Sequence, residues 1–213
     1  MHLEAIRLFR QHLPAFGFMR TRFNNLSWIV SLFLFFSVDA FSNVILFSTQ
    51  SKGVGLSWRV VNDTVMGGRS SSKWKLKSKK SAQFEGYLSL ENNGGFASVR
   101  GEVVAFNLKD TNGISLKVKG DGRKYQFRIQ SNNPKARRAN YTCEFQTKKN
   151  TVQNFYLPYE EFYPTWRGRK LNDIPKLKGS DIYGVGFFLG DKIQGDFKLE
   201  IFEIIAAKKK SSK

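Results

Sequence analysis

Histidine is nearly absent: the chain has two, His2 and His12, and none follows residue 42. A domain built from the remaining sequence therefore has no Ser-His-Asp or Cys-His nucleophile pair, no histidine general base and no histidine zinc ligand. Cysteine is as scarce. Cys143 stands alone, so no intramolecular disulfide can form in any compartment, and no cysteine metal cluster exists. Its place in NYTCEFQT, alternating with Tyr141 and Phe145, marks it as a small core residue. Acids are outnumbered, 17 against 35 lysines and arginines, and the net charge of +18 attracts anionic membrane surfaces or acidic partners. Nucleic acid is set aside, because it calls for aromatic stacking platforms inside a basic groove and an exported chain seldom meets it.

Proline is also sparse, with 5 residues against 18 glycines and 20 phenylalanines. That balance favours short strands joined by glycine turns, since aromatic side chains suit pleated surfaces and glycine supplies positive φ. A length of 213 residues with 41% hydrophobic content fits one well-filled core.

The chain has no long apolar run except Leu26 to Val38, which is too short to span a bilayer comfortably. Arg20 and Arg22 precede it, and Val38-Asp39-Ala40 places small residues at a cleavage position. Residues 1–42 therefore read as a secretory signal cut after Ala40 or Ser42, with Met19 a candidate true start. This reading makes the chain a bacterial, exported protein, periplasmic or membrane-associated. The alternative is a mitochondrial presequence, given Arg7, Arg10, Arg20 and Arg22 against the single acid Glu4, with Leu3, Ile6, Phe9, Leu13 and Phe16 near helical spacing. Uncleaved, the segment would serve as an anchor.

From Trp58 onward the apolar period is two. Ile114, Leu116 and Val118 share one face, as do Tyr125, Phe127 and Ile129, and Gly120-Asp121-Gly122 between them reads as a hairpin turn. Phe84, Leu88 and Leu90 align, and so do Phe197, Leu199 and Ile201 before the phase slips to Phe202 and Ile204, the mark of a β-bulge. About nine or ten such segments follow one another, the spacing of a sandwich or barrel. The only helical hint is a turn near Glu160 to Tyr163. Residues 43–56 read as a linker, 57–206 as an all-β sandwich and 207–213 as a basic disordered tail.

Five fragments in register, WRVVNDTVMGGRS, FEGYLSLENNGGFASVR, VKGDGRKYQF, LPYEEFYPTWRGR and GDFKLEI, resemble the complex I intermediate-associated protein family. The likeness runs from Trp58 to about Ile205. It implies a galactose-binding-like jelly-roll sandwich and a non-catalytic chaperone or scaffold role in assembling NADH:ubiquinone oxidoreductase. Its marked positions carry over to Asp63, Met66, Gly67, Gly68 and Ser70, to Gly94, Gly95, Phe96, Ser98 and Arg100, to Gly120, Asp121 and Gly122, and to Phe162, Arg167 and Gly168.

The candidate binding residues are Asp63, Met66, Arg100, Asp121, Arg123, Trp166 and Arg167. Asp63, in NDTVMGGRS, can accept hydrogen bonds from turn amides or pair with an arginine; the stretch lacks the spacing and the following helix of a phosphate-binding loop. Arg100 belongs on an outer sheet face beside a glycine-rich rim, where a guanidinium fork could meet a carboxylate, phosphate or sugar hydroxyl. An ion pair with Asp63 or Asp121 that locks two loops is the favoured reading of the same residue. Tyr156, Tyr159, Tyr163 and Trp166 could stack on sugar rings, or pack a corner of the sandwich. Lys73, Lys75 and Lys77 make a comb on one strand, as a charged patch or as a guard on an exposed edge. Glu160, Glu161, Asp173, Asp181, Asp191, Asp196 and Glu200 offer carboxylates for glycoside hydrolysis, but sequence brings no two of them across a cleft. The reading is of a module that binds without cutting and needs no cofactor or metal, its partner a protein such as a membrane complex or its assembly intermediate. A periplasmic carbohydrate-binding module, taking a glycan, is the alternative.

Overall fold

Strands with one apolar face need a second sheet to bury it against, and this chain supplies two. The structure, a computed structural model, describes residues 43–48, 56–103 and 106–208. In chain order its strands are β1 (Val44–Ser48), β2 (Ser57–Val60), β3 (Ser71–Ser78), β4 (Ser81–Leu88), β5 (Ala97–Glu102), β6 (Gly113–Lys119) and β7 (Lys124–Ser131). They continue with β8 (Asn140–Gln146), β9 (Val152–Pro158), β10 (Tyr163–Trp166), β11 (Arg169–Lys170), β12 (Ile182–Leu189) and β13 (Gly195–Ala207). Helical geometry among the described residues is confined to short 3₁₀ turns, one of them at Tyr159–Glu161.

A six-stranded sheet has the order β3-β4-β13-β6-β9 with β1 also on β13, and a seven-stranded sheet has the order β11-β10-β8-β7-β12-β5-β2. Each ladder within them is antiparallel. Inward residues of both sheets, including Phe84, Ile114, Leu116, Ile201, Tyr125, Phe127, Tyr141 and Phe187, are almost wholly buried. Burying a side chain of this size contributes about 1.5–3 kcal/mol. Phe127 meets Phe187 edge-on at 5.2 Å, and Trp58 of β2 stacks on Trp74 of β3 at 4.2 Å, joining the two sheets. Cys143 is buried in this core, and burial pushes its thiol up to about 11. The bulge expected near Phe202 is present, as a register shift between Ile201 and Glu203 where β13 pairs β6.

Two expectations are corrected. The segment 43–56 is not merely a linker. β13 runs for 13 residues and outlasts β4, and β1 pairs with the exposed stretch from Val44↔Ala206 to Ser48↔Glu203, burying Leu46 completely. The corner at Gly120 to Gly122 is not a hairpin either. β6 pairs with β13 and β9, whereas β7 pairs with β12 and β8, so the corner carries the chain from one sheet to the other. Alternation marks which face is buried and leaves the choice of neighbour open. The signal, anchor and presequence readings concern residues outside those described, as does most of the 207–213 tail, although Ala207 itself closes β13 and is buried.

The lysine comb lies on β3, an edge strand of the six-stranded sheet. Lys73 and Lys75 both pair with Glu85 on β4, and Lys77 reaches Glu200 on β13 at 2.7 Å. The comb is thus partly neutralised within the sheet, as an edge guard would be.

Candidate functional site

The stretch that begins at Asn62 makes a 3₁₀ turn, Asp63–Met66, closed by Gly67 at φ 89°. Asp63 is fully buried. Its Oδ1 accepts the Ser70 amide at 2.8 Å, and its Oδ2 accepts the Ser70 hydroxyl at 2.6 Å and the amides of Gly95 at 2.6 Å and Phe96 at 3.2 Å. Burial alone would raise this carboxyl; the donors from Ser70, Gly95 and Phe96 outweigh it and hold it below its ordinary value. The adjacent glycines follow from the same contact, because a Cβ on Gly68 would lie 2.4 Å from the Asp63 Cγ and one on Gly94 would lie 2.6 Å from its Oδ2. Asp63 is a clasp between the 63–70 and 89–96 loops.

That clasp leaves Val65 and Met66 facing solvent, 71% and 65% exposed. Leu90, expected to continue the buried face of β4, instead sits in the neighbouring loop at 39%, and Ile193 in the 190–194 loop is 59% exposed. The three loops are tied: Asn92 Nδ2 donates to Gly67 O, the Leu90 amide to Gln194 Oε1, and Lys192 Nζ to Gly94 O. One end of the sandwich therefore carries apolar side chains on loops held in place by hydrogen bonds.

Asp121 and Arg123 brace this end from the cross-sheet corner. Arg123 forks onto Asp191, with Nε to Oδ2 at 2.9 Å and Nη2 to Oδ1 at 2.6 Å, and also donates to the carbonyls of Ile193, Gly195 and Asp196. Asp121 accepts from the Arg123 amide, the Tyr125 hydroxyl and the Lys198 amide. Both are occupied in holding the fold.

Arg100 lies on the outer face of the seven-stranded sheet, half-buried, and makes no ion pair with Asp63 or Asp121, whose acceptors are taken. The loop-locking ion pair is therefore overturned. Its neighbours on that face are arginines, Arg59 directly across on β2 and Arg128 beyond Gly186. Sequence reasoning missed Arg128; only strand register aligns it with Arg100.

Trp166 and Arg167 sit at the β10–β11 hairpin, whose tip is Arg167 at φ 48° and Gly168 at φ 78°. Trp166 is 40% exposed with the Arg167 guanidinium 4.8 Å from its ring centre. Of the other aromatics of that stretch, Tyr159 is buried with its hydroxyl on Thr111, the half-buried Tyr156 bonds Asn112, and the Lys170 ammonium lies 5.4 Å from the Tyr163 ring centre. Among the carboxylates, Asp191 is consumed by Arg123 and Glu200 by Lys77 and Ser81, so neither is free for acid catalysis. No group of three or more His, Cys, Asp or Glu able to hold a metal occurs among the described residues. An open groove of about 590 Å³ crosses the outer face of the six-stranded sheet, lined by residues such as Ser71, Lys73, Glu85, Tyr87, Asp196 and Lys198.

A sequence model of the family described as complex I intermediate-associated protein 30 matches residues 45–201. The chain belongs to that family. A mouse relative named complex I intermediate-associated protein 30, mitochondrial, is 28% identical over 163 residues, which cover 68% of this chain and 50% of the relative. An uncharacterized protein of Schizosaccharomyces pombe is 28% identical over 187 residues, covering 78% of this chain and 84% of that protein. The chain spans about half the length of the mouse relative that it matches. Among solved structures, a family 11 carbohydrate-binding module of a Clostridium thermocellum cellulase superposes with a TM-score of 0.59 at 13% identity, covering 81% of this chain and 99% of the module. The same type of module in complex with a mixed-linked tetrasaccharide gives 0.58 at 14% identity, covering 78% and 96%. This likeness establishes the jelly-roll sandwich and nothing further about ligands. The family's name describes assembly association and specifies no reaction. The mouse relative's name specifies mitochondria, and these relatives lend the bacterial, exported reading no support.

Proposed function

We propose that this family member is a non-catalytic module that holds a protein partner during assembly of a respiratory NADH:ubiquinone oxidoreductase, and that the end of the sandwich bearing Val65, Met66, Leu90 and Ile193 is the surface that does so. The carrying observation is that Val65 and Met66, 71% and 65% exposed, stand on a turn fixed by the buried Asp63 clasp. Exposed apolar groups on a rigid support lose little conformational entropy when a partner covers them. The names of the relatives supply the assembly context, and they also favour the mitochondrial reading of residues 1–42 over export.

The experiment is affinity purification of the tagged full chain from mitochondria, comparing wild type with a Val65→Ser/Met66→Ser variant. Wild type returns subunits of a complex I intermediate, and the variant loses most of them while melting within a few degrees of wild type. Unchanged recovery by the variant sinks the proposed surface. Recovery of no respiratory subunit by wild type, with signal on a glycan array, favours the carbohydrate-binding alternative.

A further inference from the structure

The outer face of the seven-stranded sheet carries a row that register alone creates. Arg59 pairs Arg100, Arg100 pairs Gly186, and Gly186 pairs Arg128. Gly186 has no side chain to fill the row, and none larger fits, since a Cβ there would lie 2.3 Å from the Val99 carbonyl oxygen. The result is a slot between the Arg100 and Arg128 side chains, floored by Gly186 and walled by Ser98, Gln130 and Asn140. The void itself, about 10 Å³, holds no more than one oxygen atom, so a larger anion places a single oxygen in it and keeps its remainder outside, beside Arg100 and the exposed Arg59.

Arg128 is already set in place. Its guanidinium carbon lies 3.3 Å from the Phe188 ring centre, its Nε and Nη2 both donate to Gln126 Oε1 at 3.1 and 2.8 Å, and Phe188 is backed by Phe96 at 5.5 Å. Among the described residues no carboxylate forms an ion pair with Arg128 or Arg100. Glu144, the acid on the neighbouring strand, is taken by Lys124 and Gln126, and Glu102 forms no ion pair with Arg100. Burial, together with Arg100, pushes Arg128 down to about 10, and burial followed by Arg59 lowers Arg100. Like charges kept together, partly desolvated and without a counter-ion, make a site prepared for an anion.

We infer that the Arg100–Gly186–Arg128 slot, with Arg59 at its rim, binds a single phosphate-type oxyanion, presented by a soluble phosphate compound or by a phospholipid headgroup. The Arg100 guanidinium fork suits such a group, and Arg128, whose Nε and Nη2 are held by Gln126, adds its charge beside it. The site is separate from the loop end assigned to a protein partner and stands or falls independently of it.

The test is calorimetric titration of the full chain with inorganic phosphate at constant ionic strength, and flotation with phosphatidylcholine vesicles with and without phosphatidylglycerol. Arg100→Gln is compared with wild type and with a charge-matched Lys109→Gln control. Arg100 makes no hydrogen bond or ion pair among the described residues, so its variant keeps the fold and relieves repulsion on Arg128. Its melting temperature should equal or exceed that of wild type. Phosphate or vesicle binding should weaken by roughly tenfold or more in Arg100→Gln, the loss of charged hydrogen bonds, and stay unchanged in the control. Weakening in the phosphate arm identifies a soluble ligand, and weakening in the vesicle arm alone identifies a headgroup. No binding by wild type in either arm, or equal losses in Arg100→Gln and the control, overturns the site.

Discussion

At the scale of single residues, Asp63 shows how a charge in a loop can be structural. Four donors converge on one buried carboxylate, and glycines at 68 and 94 are required because nothing larger fits around it. Asp63→Asn keeps the shape but turns an amide towards backbone donors, so about 2–3 kcal/mol of stability should be lost. Urea unfolding followed by fluorescence measures this, and a midpoint unchanged from wild type would show that the clasp contributes nothing. That Asp63 would accept turn amides was readable from NDTVMGG, because an acid beside paired glycines does this locally. That its donors would include Gly95 and Phe96, more than thirty positions on, was not, since such contacts follow from how β5 is brought beside β2.

At the scale of elements, β1 is the instructive strand. Its sequence, VILFS, is a short apolar run with no alternation, and taken alone it reads as a lead-in to the domain. It becomes a strand because β13 extends past the end of β4 and leaves backbone donors and acceptors that another strand can satisfy. Leu46→Ala should therefore destabilise the whole sandwich by about 2–5 kcal/mol, the cost of a cavity in a core, where a linker residue would cost almost nothing. Thermal melting of the variant decides between them. β10 and β11 were also missed, being a four-residue and a two-residue strand around a tight hairpin, too short for any period to emerge. By contrast the bulge in β13 was visible, because an extra residue shifts the phase of every apolar position after it.

At the scale of the whole molecule, an excess of 35 basic over 17 acidic residues makes each carboxylate valuable. Asp63, Glu85, Glu144, Asp191 and Glu200 are all held below their ordinary values, and each accepts hydrogen bonds or pairs with a cation in the folded state. Their folded values lie below the unfolded ones, so their stabilisation is complete above the ordinary values of 3.8 and 4.5 and is withdrawn as the pH falls through the lower folded values. The melting temperature should hold level from about pH 8 to pH 5 and fall steeply below about pH 4. A curve flat to pH 3 would mean that these acids are no better placed in the folded chain than in the unfolded one.

The sequence by itself determined the all-β class, the buried faces of the long strands, the absence of histidine chemistry beyond residue 42 and the family. Each of these depends on local composition, on a period of two or on motifs in order, all of which are written along one dimension. Only the tertiary structure decided that the Gly120 to Gly122 corner changes sheets, that Asp121 and Arg123 are braces, and that Arg59, Arg100 and Arg128 share one row around Gly186. Which strand edge pairs with which depends on the summed burial and backbone hydrogen bonding of the whole sandwich, and that sum is a property of no single segment.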